Sequence, residues 1–548
     1  GMLGILATAS ITDINSTTPV LAVMIGLAVG IDYALFIVSR AREYLADGVD
    51  PAEAAGRATA TSGGAVVFAG TTVIVALCGL SVAHIRFLTT MGLASAAVVA
   101  VAVLVALTVV PALIGILGER LLPRRLKAAD GGADADRRPA SRWVRAVTRR
   151  PWTTIGAVIV LLGLCAIPAS GLRLALTDNG FAEKGSQQRE TYDAVAAAYG
   201  EGYNSPIVVI ADVSQPSDSV AAVQGLAQEL SQLDGVEGIS LATPNQDGTL
   251  ALVQIRPEKS QADPATMELV HDIRSHARDY ESRYGLTDVM VTGQTAVAID
   301  VAEELNAALI PFGVVVVGLS LILLMVVFRS IAVPLTATLG YLLSLGAGMG
   351  AVGAVFGWGW AADLLAVSKV GAVISFLPVI VMGVLFGLAM DYQVFLVSRM
   401  REEWTRRRRS DATPEARREA AKAAVKAGFL GSAKVVVAAA VIMVGVFAAF
   451  VHTDNVYVKP IALGLTVGIA ADAFLVRMTL IPALMSALGE KAWWLPAWLD
   501  RMLPVVDVEG ENLEHALEQE AADADQSARP ETDSVDDQAE EMETTAVS

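Results

Sequence analysis

Cysteine is nearly absent. The two present, Cys78 and Cys165, both sit in apolar runs, so neither a disulfide framework nor a cysteine zinc site organises the fold. Histidine is as scarce, with five residues, and His84 and His452 fall in short loops without the partners a metal site needs. Charge is thin: Asp, Glu, Lys and Arg make up 18% of the chain, against roughly 25% in a soluble protein. Apolar residues reach 54% and the mean hydropathy is +0.53. This balance speaks against a water-soluble enzyme. No GxxxxGK[ST] loop occurs, which counts against ATP hydrolysis by this chain. A charged leader is also missing: Gly1-Met2 already lies inside an apolar run, and the chain reads as a fragment whose upstream part is absent.

What is present is long apolar segments. A spanning helix needs about 20 mostly apolar residues to cross a hydrocarbon core of about 30 Å. Nine runs qualify: roughly 19–38, 64–83, 91–114, 152–171, 308–328, 331–356, 371–398, 430–451 and 460–485. Residues 1–11 read as the end of a tenth. The net charge of −17 is concentrated in the tail, where residues 505–548 hold fifteen acidic residues against the single base Arg529. That distribution argues against nucleic-acid binding, and the tail reads as disordered. Loops 118–151 and 399–427 carry ten Lys/Arg each, whereas 84–90, 357–370 and 452–459 carry one each. Basic loops stay cytoplasmic. Counting spans from them puts 172–307 outside and the C-terminus inside.

Residues 172–307 are the one sizeable soluble insertion. Strands are expected at Ser205–Val213, Val236–Ala242, Leu250–Ile255 and Asp288–Thr292, and helices at Asp218–Leu233 and Ala265–Tyr284. That order is β-α-β-β-α-β, the split βαβ arrangement. The helix at 295–310 is expected to run on into the next span.

The chain also repeats itself. At a shift of 359 residues, Pro19–Glu43 overlies Pro378–Glu402, matching Asp32-Tyr33 to Asp391-Tyr392 and Phe36 to Phe395. At a shift of 371, Thr108, Pro111-Ala112-Leu113 and Leu117-Gly118-Glu119 meet Thr479, Pro482-Ala483-Leu484 and Leu488-Gly489-Glu490. Both repeats run in the same direction, as in transporters built about an axis along the membrane normal. A complete first half then implies two further spans, most of a third, and a second soluble domain upstream.

Within the spans, carboxylates are costly, at least about 2.5–3.5 kcal/mol each, and they face the bundle interior. Asp32 and Asp391 recur at equivalent repeat positions. Burial favours a neutral acid over a carboxylate, which is what a proton carrier requires. Each neighbouring tyrosine, about 100° round the helix, is placed to reach the Asp of the opposite repeat. Asp32, Tyr33, Asp391 and Tyr392 are therefore the candidate proton relay, with a purely structural polar network as the alternative. Gly26-x-x-x-Gly30 and Gly383-x-x-x-Gly387 permit close helix approach. Asp472 and Arg477 have no charged counterparts, their equivalents being Val101 and Ala106. Asp472 reads either as an accessory relay group or as half of a structural ion pair. Arg477 reads as a residue that snorkels towards the cytoplasm, and Lys434 as an anchor at a helix start. Trp493-Trp494 and Trp498 read as an interfacial aromatic belt.

These segments resemble the mycobacterial-membrane-protein-large (MMPL) family of the resistance-nodulation-division (RND) superfamily. The carriers are GIDYALFIVSR at 30–40, AMDYQVFLVSR at 389–399, ADAFLVRMTLIPAL at 471–484 and GEKAWWLP at 489–496. The resemblance covers roughly residues 1–505. It implies an RND-like, multi-span α-helical membrane protein with a parallel pseudo-two-fold repeat and an extracytoplasmic α+β porter domain.

It also implies export of lipids or other hydrophobic compounds across the cytoplasmic membrane, driven by the proton-motive force, with Asp32, Tyr33, Asp391 and Tyr392 taking up protons. No cofactor, metal or catalytic residue is expected. The implied partners are an apolar substrate, protons and membrane lipids, with a cytoplasmic partner for the acidic tail left open. The resulting divisions are 1–122 (end of the first transmembrane repeat), 123–151 (basic cytoplasmic linker), 152–171 (span), 172–307 (porter domain), 308–498 (second repeat, five spans) and 499–548 (acidic tail). Two other readings stand beside export: a lipid sensor or protein-translocation accessory of the same superfamily, and an intramembrane aspartyl protease. The GxGD motif of presenilin-like proteases is not matched by Val29-Gly30-Ile31 or Leu388-Ala389-Met390 before the aspartates.

Overall fold

The computed structural model describes residues 4, 14–15, 17–121, 139–407 and 413–503, and of Glu119, Pro139, Asp391 and Pro414 the backbone alone. The span expected at 1–11 (apart from Gly4), Arg408-Arg409 and the acidic tail from 504 on lie outside the described residues.

Nine helices among the described residues are long and apolar enough to cross a membrane, and each of the nine apolar runs falls on one. The first three are α1 (Thr17–Ala46), α2 (Pro51–Cys78) and α3 (Arg86–Leu117). Asp50 caps α2 by accepting from Ala52 N–H at 3.1 Å, with Pro51 in the first helical position, where no N–H is needed. A short basic helix, α4 (Pro139–Arg149), leads into the span α5 (Pro151–Ala166). The sequence reading had left α4 inside the linker.

The chain then leaves the bundle through β1 (Leu174–Ala175) and α6 (Gln187–Tyr199), which the sequence reading missed. α6 buries only Tyr192, so it has no apolar stripe to betray it. Next come β2 (Ile207–Asp212), α7 (Ser219–Leu230), β3 (Val236–Pro244), β4 (Leu250–Pro257), α8 (Pro264–Ser275), α9 (Ala277–Tyr284) and β5 (Thr287–Thr292). Where one helix was expected at Ala265–Tyr284, the chain breaks at His276, whose ψ of 5° interrupts the helical turn.

The sheet order is β3-β4-β2-β5, and every neighbouring pair is antiparallel. β2 alternates buried and half-buried residues, so Ile207, Val209 and Ala211 face α7 and α8. Leu226, Leu269 and Ile273 close that core. The other sheet face is not covered in the same way, as expected of an antiparallel sheet with helices on one side.

From β5 the chain passes through Gly293 into α10 (Gln294–Phe328), an unbroken helix of 35 residues that leaves the sheet and becomes a span. Arg274 on α8 grips its first turns, donating to both Asp300 oxygens at 2.6 and 2.9 Å, and His271 lies 2.6 Å from Glu303. The remaining helices are α11 (Ala332–Val352), α12 (Leu377–Arg407), α13 (Pro414–Val451), α14 (Val458–Ala470), α15 (Ile481–Leu488) and α16 (Ala497–Met502). β6 (Val373–Ile374) precedes α12 and pairs in parallel with β1. Val373 N–H donates to Arg173 O at 2.9 Å and Ser375 N–H to Ala175 O at 3.1 Å. Because α13 starts at Pro414, Lys434 lies well inside a helix and not at its start.

Over Val379–Leu396, Asp391 apart, α12 is apolar and buried nearly all round, with Val379, Ile380, Val384, Phe386 and Leu396 all enclosed. α1 packs on α2, α3 and α13, while α12 packs on α13, α2 and α14. The repeat predicts this exchange of partners: each central helix touches the second helix of both halves. α3 and α10 instead expose Leu104, Ile116, Ile310 and Val314, side chains suited to lipid.

The glycines mark close approaches. A Cβ on Gly26 would come 2.4 Å from Val98 Cγ1 of α3, and one on Gly387 3.0 Å from Val73 Cα of α2. Gly30 and Gly383 meet only ordinary contacts. The tightest span contact is elsewhere, at Gly350 of α11, where a Cβ would fall 1.8 Å from Cys165 O of α5. Gly350→Ala is expected to push these spans apart at a cost of about 1–3 kcal/mol. A fall in the melting temperature of the detergent-solubilised protein would report it, and an unchanged melting temperature would show that the contact yields freely.

Candidate functional site

The last long span is not one uniform helix. α14 runs to Ala470, residues Ala471–Leu480 are wound as a π-helix, and α15 resumes at Ile481. Ile481 N–H donates to Val476 O, and Thr479 Oγ to Phe474 O at 2.9 Å, both five residues back. This winding has a chemical consequence. In an α-helix, residues five apart point about 140° away from each other. In a π-helix they come nearly into line.

Asp472 and Arg477 are five apart, and here they meet, Arg477 Nε lying 2.5 Å from Asp472 Oδ2. Arg477 is 1% exposed and Asp472 6%. The snorkelling read for Arg477 is thus corrected: its guanidinium turns inward to a carboxylate, a carbonyl and a ring. Nη2 donates to Ala389 O on α12, two residues before Asp391. Cζ stands 4.9 Å from the centroid of the Tyr392 ring, a cation–π contact. Ser344 of α11 donates to Asp472 Oδ1 at 3.4 Å.

Asp32 of α1 faces the same centre. It is 1% exposed, and the Tyr392 hydroxyl is directed at its carboxyl with the Arg477 charge nearby. So Asp32, Tyr392, Arg477 and Asp472 form one buried cluster drawn from α1, α12 and the π-wound segment. Tyr33 is equally buried and lies against Gly70 of α2. Asp391 sits on α12 between Ala389 and Tyr392, and its side chain lies outside the described residues. Phe36 and Phe395, equivalent by the 359 shift, stack edge to face at 4.9 Å, so the pseudo-two-fold axis passes between them. Among the described residues, Asp32 Oδ1 and Arg477 Nη1 have no hydrogen-bond partner. Among the described residues the cluster thus leaves one acceptor and one donor unpaired in a protein interior, where unpaired polar groups are costly.

Nothing in the cluster is a nucleophile paired with a base, and no group of three or more His, Cys, Asp or Glu able to hold a metal occurs among the described residues. What it offers is carboxylates and a phenol hydroxyl, groups chemically able to exchange protons, beside a buried guanidinium. Sequence reasoning had kept Arg477 apart from the tyrosines. No sequence signal pointed to the contact, because a spacing of five sets Asp472 and Arg477 on opposite faces of an α-helix.

The sequence model of the MMPL family matches residues 1–154 and 183–505. The membrane protein YdfJ of Bacillus subtilis is 41% identical over 94% of this chain and 69% of its own length. The mycolic acid-containing lipids exporter MmpL11 of Mycolicibacterium smegmatis is 31% identical, over 89% of this chain and 50% of its own. The trehalose monomycolate exporter MmpL3 of Mycobacterium tuberculosis is 29% identical, over 87% and 53%. The chain thus spans about half the length of these two exporters. Among solved structures, SecDF of Thermus thermophilus, a translocon-associated membrane protein, superposes with a TM-score of 0.50 at 16% identity, over 88% of this chain and 58% of that one. That likeness concerns the fold alone.

Proposed function

The chain belongs to the MMPL family of the RND superfamily, and from that footing we propose that it works as a proton-motive-force-driven exporter of lipids or other hydrophobic compounds. Export of lipids by the named relatives MmpL11 and MmpL3 supports the substrate class. The observation that carries the mechanism is the buried cluster of Asp32, Tyr392, Arg477 and Asp472 at the junction of the two repeats.

In this reading Asp32, Asp391 and the two tyrosines form the relay, and Asp472 with Arg477 sets the charge against which it works. With Asp32 protonated, Arg477 stays with Asp472. When Asp32 loses its proton, its unmet oxygen becomes a second anion for the unmet Arg477 nitrogen. The guanidinium also holds Ala389 O and the Tyr392 ring, so its shift moves α12 relative to α1. The soluble domain, taken as the porter, follows through α10, the stalk that Arg274 and His271 fasten to it. Substrate then passes along apolar surfaces to the outer side, with the basic loops cytoplasmic.

The test is transport in vesicles bearing the protein, with labelled lipids and dyes and an imposed proton gradient. Export should stop when a protonophore collapses the gradient. Export that persists without a gradient sinks proton coupling. A folded protein that moves nothing in the panel favours the sensor or translocation-accessory reading.

A further inference from the structure

Pro482 creates a gap in the span that carries Arg477. In an α-helix the carbonyl of Met478 accepts from the N–H of residue 482, and proline has none. That carbonyl is instead met from outside: Trp143 Nε1 of α4 donates to Met478 O at 2.9 Å, across 335 residues of sequence. α4 is seated for this by Val144, Val147 and Ser141, all buried, and it packs on α13, α15 and the π-wound segment.

The first repeat supplies a comparison within the same molecule. Pro111 is the equivalent of Pro482 and Leu107 the equivalent of Met478, yet α3 stays α-helical through Pro111. Val101 and Ala106 stand there in place of Asp472 and Arg477. Proline alone therefore does not produce the π winding.

We infer that Trp143 is a positioning residue: its indole N–H, held on the carbonyl next to Arg477, keeps residues 471–480 in the winding that points Arg477 at Asp472 and Tyr392. A ten-residue π segment is long for a form that occurs mostly as single-turn bulges, so a hold from outside the segment favours it. The basic helix α4 thereby becomes part of the buried site's support, although it lies at the end of the bundle. The inference rests on the relay reading for its functional consequence. Among the described side chains, the ionisable groups around Arg477 are Asp472 on its own segment, Tyr392 on α12 and Asp32 on α1.

Two variants in the membrane-reconstituted chain test it. Trp143→Phe keeps the ring and removes the donor. Val144→Ala loosens the seat of α4 and keeps the indole. Hydrogen exchange of amides in 471–483 should quicken by roughly fivefold or more in Trp143→Phe, the size expected for one lost hydrogen bond. Peptides from α11 should not change. The pH midpoint of gradient-driven transport should move in Trp143→Phe and stay put in Val144→Ala. Unchanged exchange in Trp143→Phe, or equal acceleration in Val144→Ala, overturns the inference. If the wild type shows no gradient-driven transport, the relay reading falls, and the exchange comparison still decides the role of Trp143 by itself.

Discussion

Asp32→Asn is expected to abolish proton-driven export while leaving the protein folded. The amide matches the carboxyl in shape, so packing around α1 should change by about 1 kcal/mol or less. What it cannot do is take up and release a proton. Positioned proton transfer contributes about 100-fold or more where it operates, and a loss of that size is expected in gradient-driven transport. The measurement is initial export rate in vesicles at matched protein level, beside the melting temperature of each variant. Normal export by Asp32→Asn would leave the cluster as structural glue. A collapse of both export and melting temperature would locate the role of Asp32 in folding.

The second large effect separates stability from coupling at Asp472 and Arg477. Arg477→Met removes the cation and leaves Asp472 facing an apolar side chain. Breaking a buried pair from one side costs about 3–5 kcal/mol, and the cation–π contact with Tyr392 goes too. The double variant Asp472→Leu with Arg477→Met removes both charges and puts apolar side chains of similar size in their place. Buried pairs replaced whole are often neutral in stability, so this variant should melt near the wild type. It should still fail to transport, because nothing remains to respond to the charge on Asp32. Recovery of transport together with stability would make the pair a structural device and nothing more.

The spans, the repeat and the burial of Asp32 were legible because each is a property of the linear sequence. Nine apolar runs need no tertiary knowledge, and the 359-residue shift brings Asp32-Tyr33 onto Asp391-Tyr392 by inspection. The element order of the soluble domain was readable from alternating apolar residues in Ile207–Asp212 and Leu250–Pro257. Features set by contacts between distant segments were not legible. A spacing of five means opposite faces on an α-helix, so the pairing of Asp472 with Arg477 became visible only with the π winding. β1 and β6 have two residues each, too short for any period. Trp143 stands in a basic stretch whose composition hides a docked helix, and its partner carbonyl belongs to a segment 335 residues away.

The short pairing of β1 with β6 has a mechanical consequence. The strand at Leu174–Ala175 is the root of the soluble domain, and Ile374 lies three residues before α12 begins. From Leu377 to Tyr392 is fifteen residues, about 22 Å of helix at 1.5 Å per residue. A tilt of the domain root is thus applied to one end of a rigid rod whose other end carries the tyrosine over Arg477. Two backbone hydrogen bonds serve as the coupling pin of this linkage. The rod delivers load in both directions, so under the export proposal a load on the domain also bears on the relay site, and a stalled substrate would stall proton movement with it.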